Sequence, residues 1–131
     1  MNNSANDLKR KGGFRRLFRS LGYSYGGFRH AVLNEAAIRE ALFALAILVP
    51  VSILLPVSDM EHLVLVSSMM LVVLVEFVNS AIEATVDRIS PEHHPLAGQA
   101  KDLASAAVLI AVLMSGLCWV VIAGPVLIRW M

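Results

Sequence analysis

The sequence predicts an all-α membrane protein: three transmembrane helices preceded by an amphipathic helix at the membrane surface. Hydrophobic residues make up 57% of the 131 residues and charged residues only 16%, whereas soluble domains carry about a quarter charged residues. The apolar residues fall into three long segments, and a helix needs about 20 apolar residues to cross a bilayer. Lys and Arg are concentrated before the first segment.

The three apolar segments predict spans at residues 36–57, 63–82 and 103–128. Pro50 and Pro56 should kink or end the first span. The third span contains no charged residue. Because the chain is too short for a separate soluble catalytic module, we expect residues 14–131 to form a single membrane-embedded domain.

The N-terminal region predicts a surface helix at about residues 14–30. Apolar residues recur there at helical spacing with arginines between them, and such a helix lies in the membrane interface and contacts anionic lipid headgroups. The glycine-rich stretch 22–27 should break this helix. The polar, basic residues 1–13 should form a disordered tail.

The positive charges predict the orientation. Residues 1–30 hold seven of the eleven Lys and Arg, and the loop 58–62 holds none. Short cytoplasmic loops are enriched in Lys and Arg. We therefore expect the N-terminus to be cytoplasmic and the C-terminus to lie on the opposite side of the membrane.

The second span carries acidic residues that lipid does not tolerate well. Glu76, Asn79, Ser80, Glu83 and Asp87 share one face of a helix with 100° per residue. Glu76 should lie roughly 10 Å below the cytoplasmic boundary, and Glu83 and Asp87 at or above it. Intramembrane acids usually mark a functional site. This spacing suits a reaction that joins a lipid hydroxyl to a water-soluble cosubstrate.

Other polar residues are expected at the same level. Glu35 follows Asn34 at the start of the first span, and Lys101 and Asp102 precede the third. Carboxylates there would suit Mg²⁺, which uses one or two of them together with phosphate oxygens. Lys101 would suit phosphate as a point charge. The alternative is that these acids form salt bridges with Arg39, Arg88 and Lys101.

Several classes of chemistry have no motif in this sequence. There is no P-loop, no protein-kinase motif set and no nucleophile elbow. Glu92, His93 and His94 form a weak metal pattern and are interpreted as loop polar groups that touch a nucleotide. No nucleic-acid partner is expected.

Three ordered blocks resemble the bacterial integral-membrane diacylglycerol kinases. They are Asn34-Glu35-Ala36-Ala37-Ile38-Arg39, then Glu76-x-x-Asn79-Ser80-Ala81-Ile82-Glu83-x-x-x-Asp87-Arg88, then Gly98-x-Ala100-Lys101-Asp102-x-x-Ser105-Ala106-Ala107-Val108. The resemblance implies a homotrimeric helical bundle with active sites shared between subunits at the cytoplasmic face. It also implies transfer of the ATP γ-phosphate to diacylglycerol, which gives phosphatidic acid.

The resemblance also implies residue roles. Glu76 would be the general base, and Glu35 and Glu83 would hold the Mg²⁺ that bridges the ATP phosphates, with Asn34, Asn79 and Asp87 in support. The ATP contacts would be Arg16, Tyr23, Glu35, Glu83, Glu92, His93, His94, Lys101 and Asp102. The lipid contacts would be Arg16, Ser20, Tyr23, Ser24, Tyr25, Arg29, Glu76 and Ser105.

One position departs from the family pattern, and two alternative functions stay open. Family members commonly show Arg-Gln-Glu where this chain has Arg39-Glu40-Ala41, so the acid moves about 100° around the helix. An undecaprenol kinase of the same fold would use similar transfer residues. A non-catalytic membrane subunit or pore would need polar residues along the whole helix face, but residues 63–75 offer only Ser67 and Ser68.

Overall fold

Four long helices make up the structure, a computed structural model that describes the backbone of residues 3–89 and 94–130 and the side chains of residues 14–89 and 94–129. The helices are α1 (Asn3–Asn34), α2 (Ala36–Leu54), α3 (Asp59–Ile89) and α4 (Pro95–Trp130). No strand occurs among these described residues. The chain forms two separate units, α1 with Glu35 and the three-helix unit of α2, α3 and α4.

The first helix is longer than the sequence predicted. It runs without interruption from Asn3 to Asn34, so residues 3–13 are helical where we predicted a disordered tail. The break predicted at residues 22–27 is wrong. Glycine costs about 1 kcal/mol in a helix but does not forbid it, and Ser24 Oγ donates to the carbonyl oxygen of Ser20 at 3.1 Å, a bond compatible with continuous helix.

The apolar side of α1 is uncovered. Phe14, Leu17, Phe18 and Leu21 are all more than half exposed. Arg15, Arg16 and Arg19 between them are exposed as well. Apolar and cationic side chains that recur at helical spacing are typical of an amphipathic helix.

The three remaining helices confirm the predicted number of spans. α2, α3 and α4 are each long and apolar enough to cross a membrane. α2 continues through Pro50 and ends at Leu54, because Pro56 restricts the residue before it to extended backbone. α3 and α4 extend beyond the predicted spans 63–82 and 103–128 at both ends.

The start of α3 is fixed by a capping box. Ser58 donates its backbone N–H to Glu61 Oε2 at 2.8 Å, and the N–H of Glu61 donates to Ser58 Oγ at 3.4 Å. This reciprocal pair satisfies donors that the first turn of a helix leaves free. The capping box therefore sets the turn between α2 and α3, which we call the hairpin end (residues 55–58).

Successive helices of the three-helix unit run antiparallel, and α3 packs against both α2 and α4. At the hairpin end, buried Ser52 and half-buried His62 form a hydrogen bond of 3.2 Å. Leu55, Leu65 and Ala123 form a buried cluster there, against which Trp119 packs. We call the opposite end, where α3 ends at Ile89 and α4 begins at Pro95, the connection end.

Two polar contacts fix the register of α3 against α4. Ser68 Oγ and Ser115 Oγ are 3.1 Å apart, and Ser115 also donates to Met69 Sδ at 3.2 Å. Hydroxyl bonds of this kind hold helices together where no hydrophobic driving force acts between them. Because Asp87 of α3 meets Lys101 of α4, the acidic face of α3 lies beside the first turns of α4.

Candidate functional site

The polar face of α3 is present as predicted. Glu76, Asn79, Ser80 and Glu83 are half-buried and Asp87 is exposed. Asn79 Nδ2 donates to Glu83 Oε1 at 3.1 Å, which confirms that the two side chains share a face one turn apart. α3 therefore presents a carboxylate within the span and a second, oriented carboxylate nearer its C-terminal end.

Asn79 also carries an unsatisfied acceptor. Its Oδ1 is buried and has no hydrogen-bond partner within the described part of the chain. Most buried polar atoms are paired, so an exception calls for an explanation. A hydroxyl or amide donor from a bound molecule or from another subunit would satisfy it.

The connection end holds the cationic part of the site. Lys101 Nζ donates to Asp87 Oδ1 at 2.5 Å, and their side chains are 38% and 66% exposed. An ion pair this exposed is weak, so phosphate oxygens can compete for the ammonium group. Asp102 and Ser105 follow on the same helix and are exposed.

His94 has a structural contact at the start of α4. Its Nδ1 accepts the backbone N–H of Leu96 at 3.2 Å, and its carbonyl accepts the N–H groups of Ala97 and Gly98. His94 therefore acts as the N-cap, with Pro95 at the first helical position where proline is favoured. Glu92 and His93, the other predicted loop contacts, lie outside the described residues.

Eight of the predicted site residues lie on the first unit, α1 with Glu35. Six of them are exposed along α1: Arg16, Ser20, Tyr23, Ser24, Tyr25 and Arg29. Asn34 Nδ2 donates to the carbonyl oxygen of His30 at 2.8 Å. Glu35 is half-buried, and its N–H bonds to the carbonyl oxygen of Ala31 at 2.8 Å, so it closes the last turn of α1.

An open cavity of about 520 Å³ lies among α2, α3 and α4, and Glu76 is part of its wall. Glu40 of α2 lines the same cavity. Glu40 was not among the predicted site residues, although its displacement from the family pattern is visible in the sequence. The rest of the lining is mainly apolar: Ala37, Ala41, Ala44, Leu48, Met69, Val72, Val112, Ser115, Gly116 and Trp119.

Groups of side chains that could bind a metal on their own are absent from the described part of the chain. No three His, Cys, Asp or Glu residues there come together in that way. Mg²⁺ in phosphate-transfer sites uses one or two carboxylates together with water and substrate phosphates. Glu83, with one oxygen held by Asn79, is suited to supply one such carboxylate.

Comparison with known proteins agrees with the blocks read in the sequence. The family profile described as prokaryotic diacylglycerol kinase matches residues 22–123. The diacylglycerol kinase of Escherichia coli is 46% identical over 110 residues, which cover 84% of this chain and 90% of the relative. That of Pseudomonas aeruginosa is 41% identical over 119 residues, or 91% and 97% of the two chains. That of Helicobacter pylori is 39% identical over 107 residues, or 82% and 84%.

Proposed function

Because this chain belongs to the prokaryotic diacylglycerol kinase family, we propose that it transfers the γ-phosphate of ATP to the free hydroxyl of 1,2-diacylglycerol and so makes phosphatidic acid. The observation that carries the proposal is the position of Glu76, a half-buried carboxylate that opens onto an apolar cavity between three spanning helices. That is the environment in which a lipid hydroxyl must be deprotonated. Glu83 lies two turns further along the same helix, nearer the connection end.

Phosphoryl transfer asks the protein mainly for positioning and for neutralisation of phosphate charge. The carboxylate of Glu76 accepts the proton of the lipid hydroxyl while the hydroxyl oxygen attacks the γ-phosphorus in line with the departing ADP. Asn79, one turn away, holds Glu83 in place. Mg²⁺ bound with the nucleotide would supply positive charge to the phosphates, and we assign Glu83 and Glu35 as its protein ligands.

Nucleotide binding is assigned to groups near the connection end and on the first unit. Lys101 exchanges its exposed contact with Asp87 for a phosphate oxygen, and His94 lies seven residues earlier, at the start of α4. Asp102, Glu92 and His93 complete the set on this unit. Arg16 and Tyr23 of α1 bring further donors, and exposure of both side chains supports this assignment.

The lipid is assigned to Glu76 and Ser105 on the three-helix unit and to exposed polar residues of α1. The latter are Arg16, Ser20, Tyr23, Ser24, Tyr25 and Arg29. We propose that α1 lies in the interface of the inner membrane, where its arginines meet anionic headgroups. The N-terminus then faces the cytoplasm and the C-terminus faces the periplasm.

The acceptor is tested by a competition assay. Purified protein in mixed micelles receives radiolabelled ATP and equal amounts of dioleoylglycerol and undecaprenol. Labelling of the diacylglycerol supports the proposal, and preferential labelling of the prenol would show an undecaprenol kinase instead. If the folded protein transfers label to neither lipid, the result would favour the alternative of a non-catalytic membrane subunit or pore.

We further propose a homotrimer whose active sites are shared between subunits, which would give the unsatisfied Oδ1 of Asn79 a source of donors. Mixed oligomers of two defective variants test directly whether the active sites are shared. Glu76→Gln and Lys101→Met protein are unfolded together, refolded into mixed oligomers and assayed at an ATP concentration at which each variant alone has little activity. Recovered activity means that the two residues act from different subunits, whereas no recovery means that Glu76 and Lys101 of one site belong to the same subunit, which contradicts a shared site for this pair.

A further inference from the structure

The cavity among α2, α3 and α4 has one polar end and one apolar end. Glu40 and Glu76 line it toward the connection end, and Leu48 and Trp119 line it toward the hairpin end. Its wall on α2 runs from Ala37 to Leu48, which is about 16 Å of helix. An open space of this length and polarity matches an aliphatic chain attached to a polar head.

Gly116 lies in the apolar half of this cavity. The contact of Ser115 Oγ with Met69 Sδ at 3.2 Å places Ser115, and so its neighbour Gly116, at the level of Met69. Glu76 is seven residues from Met69 on the same helix, which corresponds to about 10 Å along the axis. Gly116 therefore lies part of the way along the path of a chain that starts at Glu76.

The space in front of Gly116 is free. A Cβ atom added there would meet no heavy atom within 4 Å, although Gly116 is part of the cavity wall. We propose that Gly116 determines the acyl-chain length that the enzyme accepts, because the missing side chain leaves the apolar half of the cavity open to a long chain. The inference rests on the proposed function, since it takes the hydroxyl of diacylglycerol to lie at Glu76.

The lining favours a lipid over a helix from a second copy of the chain. Its described residues include two carboxyl groups and no Lys or Arg. An apolar helix packed over them would bury both groups without a cation or a donor, which is costly. A diacylglycerol brings a hydroxyl donor to that end and aliphatic carbon to the other.

The test compares acceptors of different chain length. Gly116→Leu and the milder Gly116→Ala are assayed in mixed micelles with dihexanoylglycerol, didecanoylglycerol and dioleoylglycerol. A leucine should lower kcat/KM for dioleoylglycerol by about tenfold or more relative to dihexanoylglycerol, the scale on which a filled apolar pocket discriminates. Gly116→Ala should lower the ratio of kcat/KM for dioleoylglycerol to kcat/KM for dihexanoylglycerol by a smaller factor.

Gly124→Leu is the matched control. Gly124 belongs to the same helix and also has nothing within 4 Å of an added Cβ, but it does not line the cavity. For Gly124→Leu, the ratio of kcat/KM for dioleoylglycerol to kcat/KM for dihexanoylglycerol should equal that of the parent protein. A parent protein that phosphorylates no diacylglycerol would refute the proposed function itself.

Two results would overturn the chain-length role while the kinase activity stands. One is an active parent with an unchanged ratio in both Gly116 variants. The other is a changed oligomer mass in detergent for Gly116→Leu but not for Gly124→Leu, which would mean that a second copy covers the cavity. If Gly116→Leu does not fold, the ratio measured for Gly116→Ala decides.

Discussion

Asn79 donates a hydrogen bond from Nδ2 to Glu83 Oε1 at 3.1 Å, one turn further along α3. Glutamate side chains at a membrane boundary have many accessible rotamers, and each that must be lost on binding costs free energy. The bond from Asn79 therefore selects a rotamer of Glu83 before any ligand arrives. The amide acts as a positioning group for a carboxylate to which we assign the metal.

Glu83→Gln should raise the Mg²⁺ and ATP concentrations needed for half-maximal activity by at least about tenfold. Glutamine keeps an oxygen that can accept the bond from Asn79 but loses the negative charge that attracts the cation. Titration of activity with Mg²⁺ at fixed ATP measures the effect. Asn79→Ala, which keeps the charge and removes its support, should give a smaller rise; an unchanged Mg²⁺ requirement in Glu83→Gln would remove Glu83 from the metal site.

Glu76→Gln should lower turnover by at least about a hundredfold, the contribution typical of a general base. Nucleotide binding and oligomer size should stay the same, because glutamine has almost the same shape. Binding of a non-hydrolysable ATP analogue and the mass of the protein in detergent provide these two readouts.

Glu40→Gln is the appropriate comparison for Glu76→Gln, since both side chains line one cavity. We expect it to lose much less turnover because the proposed base is intact. Near-normal turnover in Glu76→Gln, or an equal loss in both variants, would contradict the assignment of Glu76 as the only base.

The ion pair between Lys101 and Asp87 should contribute little to stability. With side chains 38% and 66% exposed, the pair is expected to be worth less than about 1 kcal/mol. Asp87→Asn should therefore leave thermal unfolding in detergent nearly unchanged. Lys101→Met should instead raise the KM for ATP, because the residue loses the charge that meets phosphate; equal KM values for the two variants would assign Lys101 a structural role only.

Much of the fold could be predicted because its signals are local. The apolar segments predicted all three spans, and Pro56 was one of two prolines expected to kink or end the first span, which ends at Leu54 rather than at residue 57. The polar face of α3 follows from helical spacing, and the bond between Asn79 and Glu83 is a direct result of it. The ends of α1, α3 and α4 were missed since Gly and polar residues lower helix propensity without abolishing it.

The cavity could not be predicted because its walls come from three helices. Ala37, Glu40, Ala41, Ala44 and Leu48 do form a stripe at helical spacing on α2, and this periodicity was available in the sequence. The sequence could not show that Gly116 of α4 would face the same space. That depends on the register of α3 against α4, which is set by contacts such as Ser68 with Ser115.

The capping box at the hairpin end predicts a purely structural effect. Ser58→Ala should destabilise the protein by about 1 kcal/mol, the usual cost of losing an N-cap side chain. Activity at low temperature should be unchanged, because Ser58 and Glu61 lie at the far end of the three-helix unit from Lys101 and Asp87. Asp59→Asn next to the cap is a control for charge at this turn. Lost activity in folded Ser58→Ala protein would show that the hairpin end communicates with the site.

His94 has two assigned roles, and a pair of substitutions separates them. Its Nδ1 caps α4 by accepting the N–H of Leu96 at 3.2 Å, and we assign its ring to ATP. Asparagine is among the best N-cap residues and alanine among the poor ones. His94→Asn should therefore keep the thermal stability of the parent and still raise the KM for ATP, while His94→Ala should lose about 1 kcal/mol as well. If His94→Asn had the KM of the parent, the ring would serve only as the cap of α4.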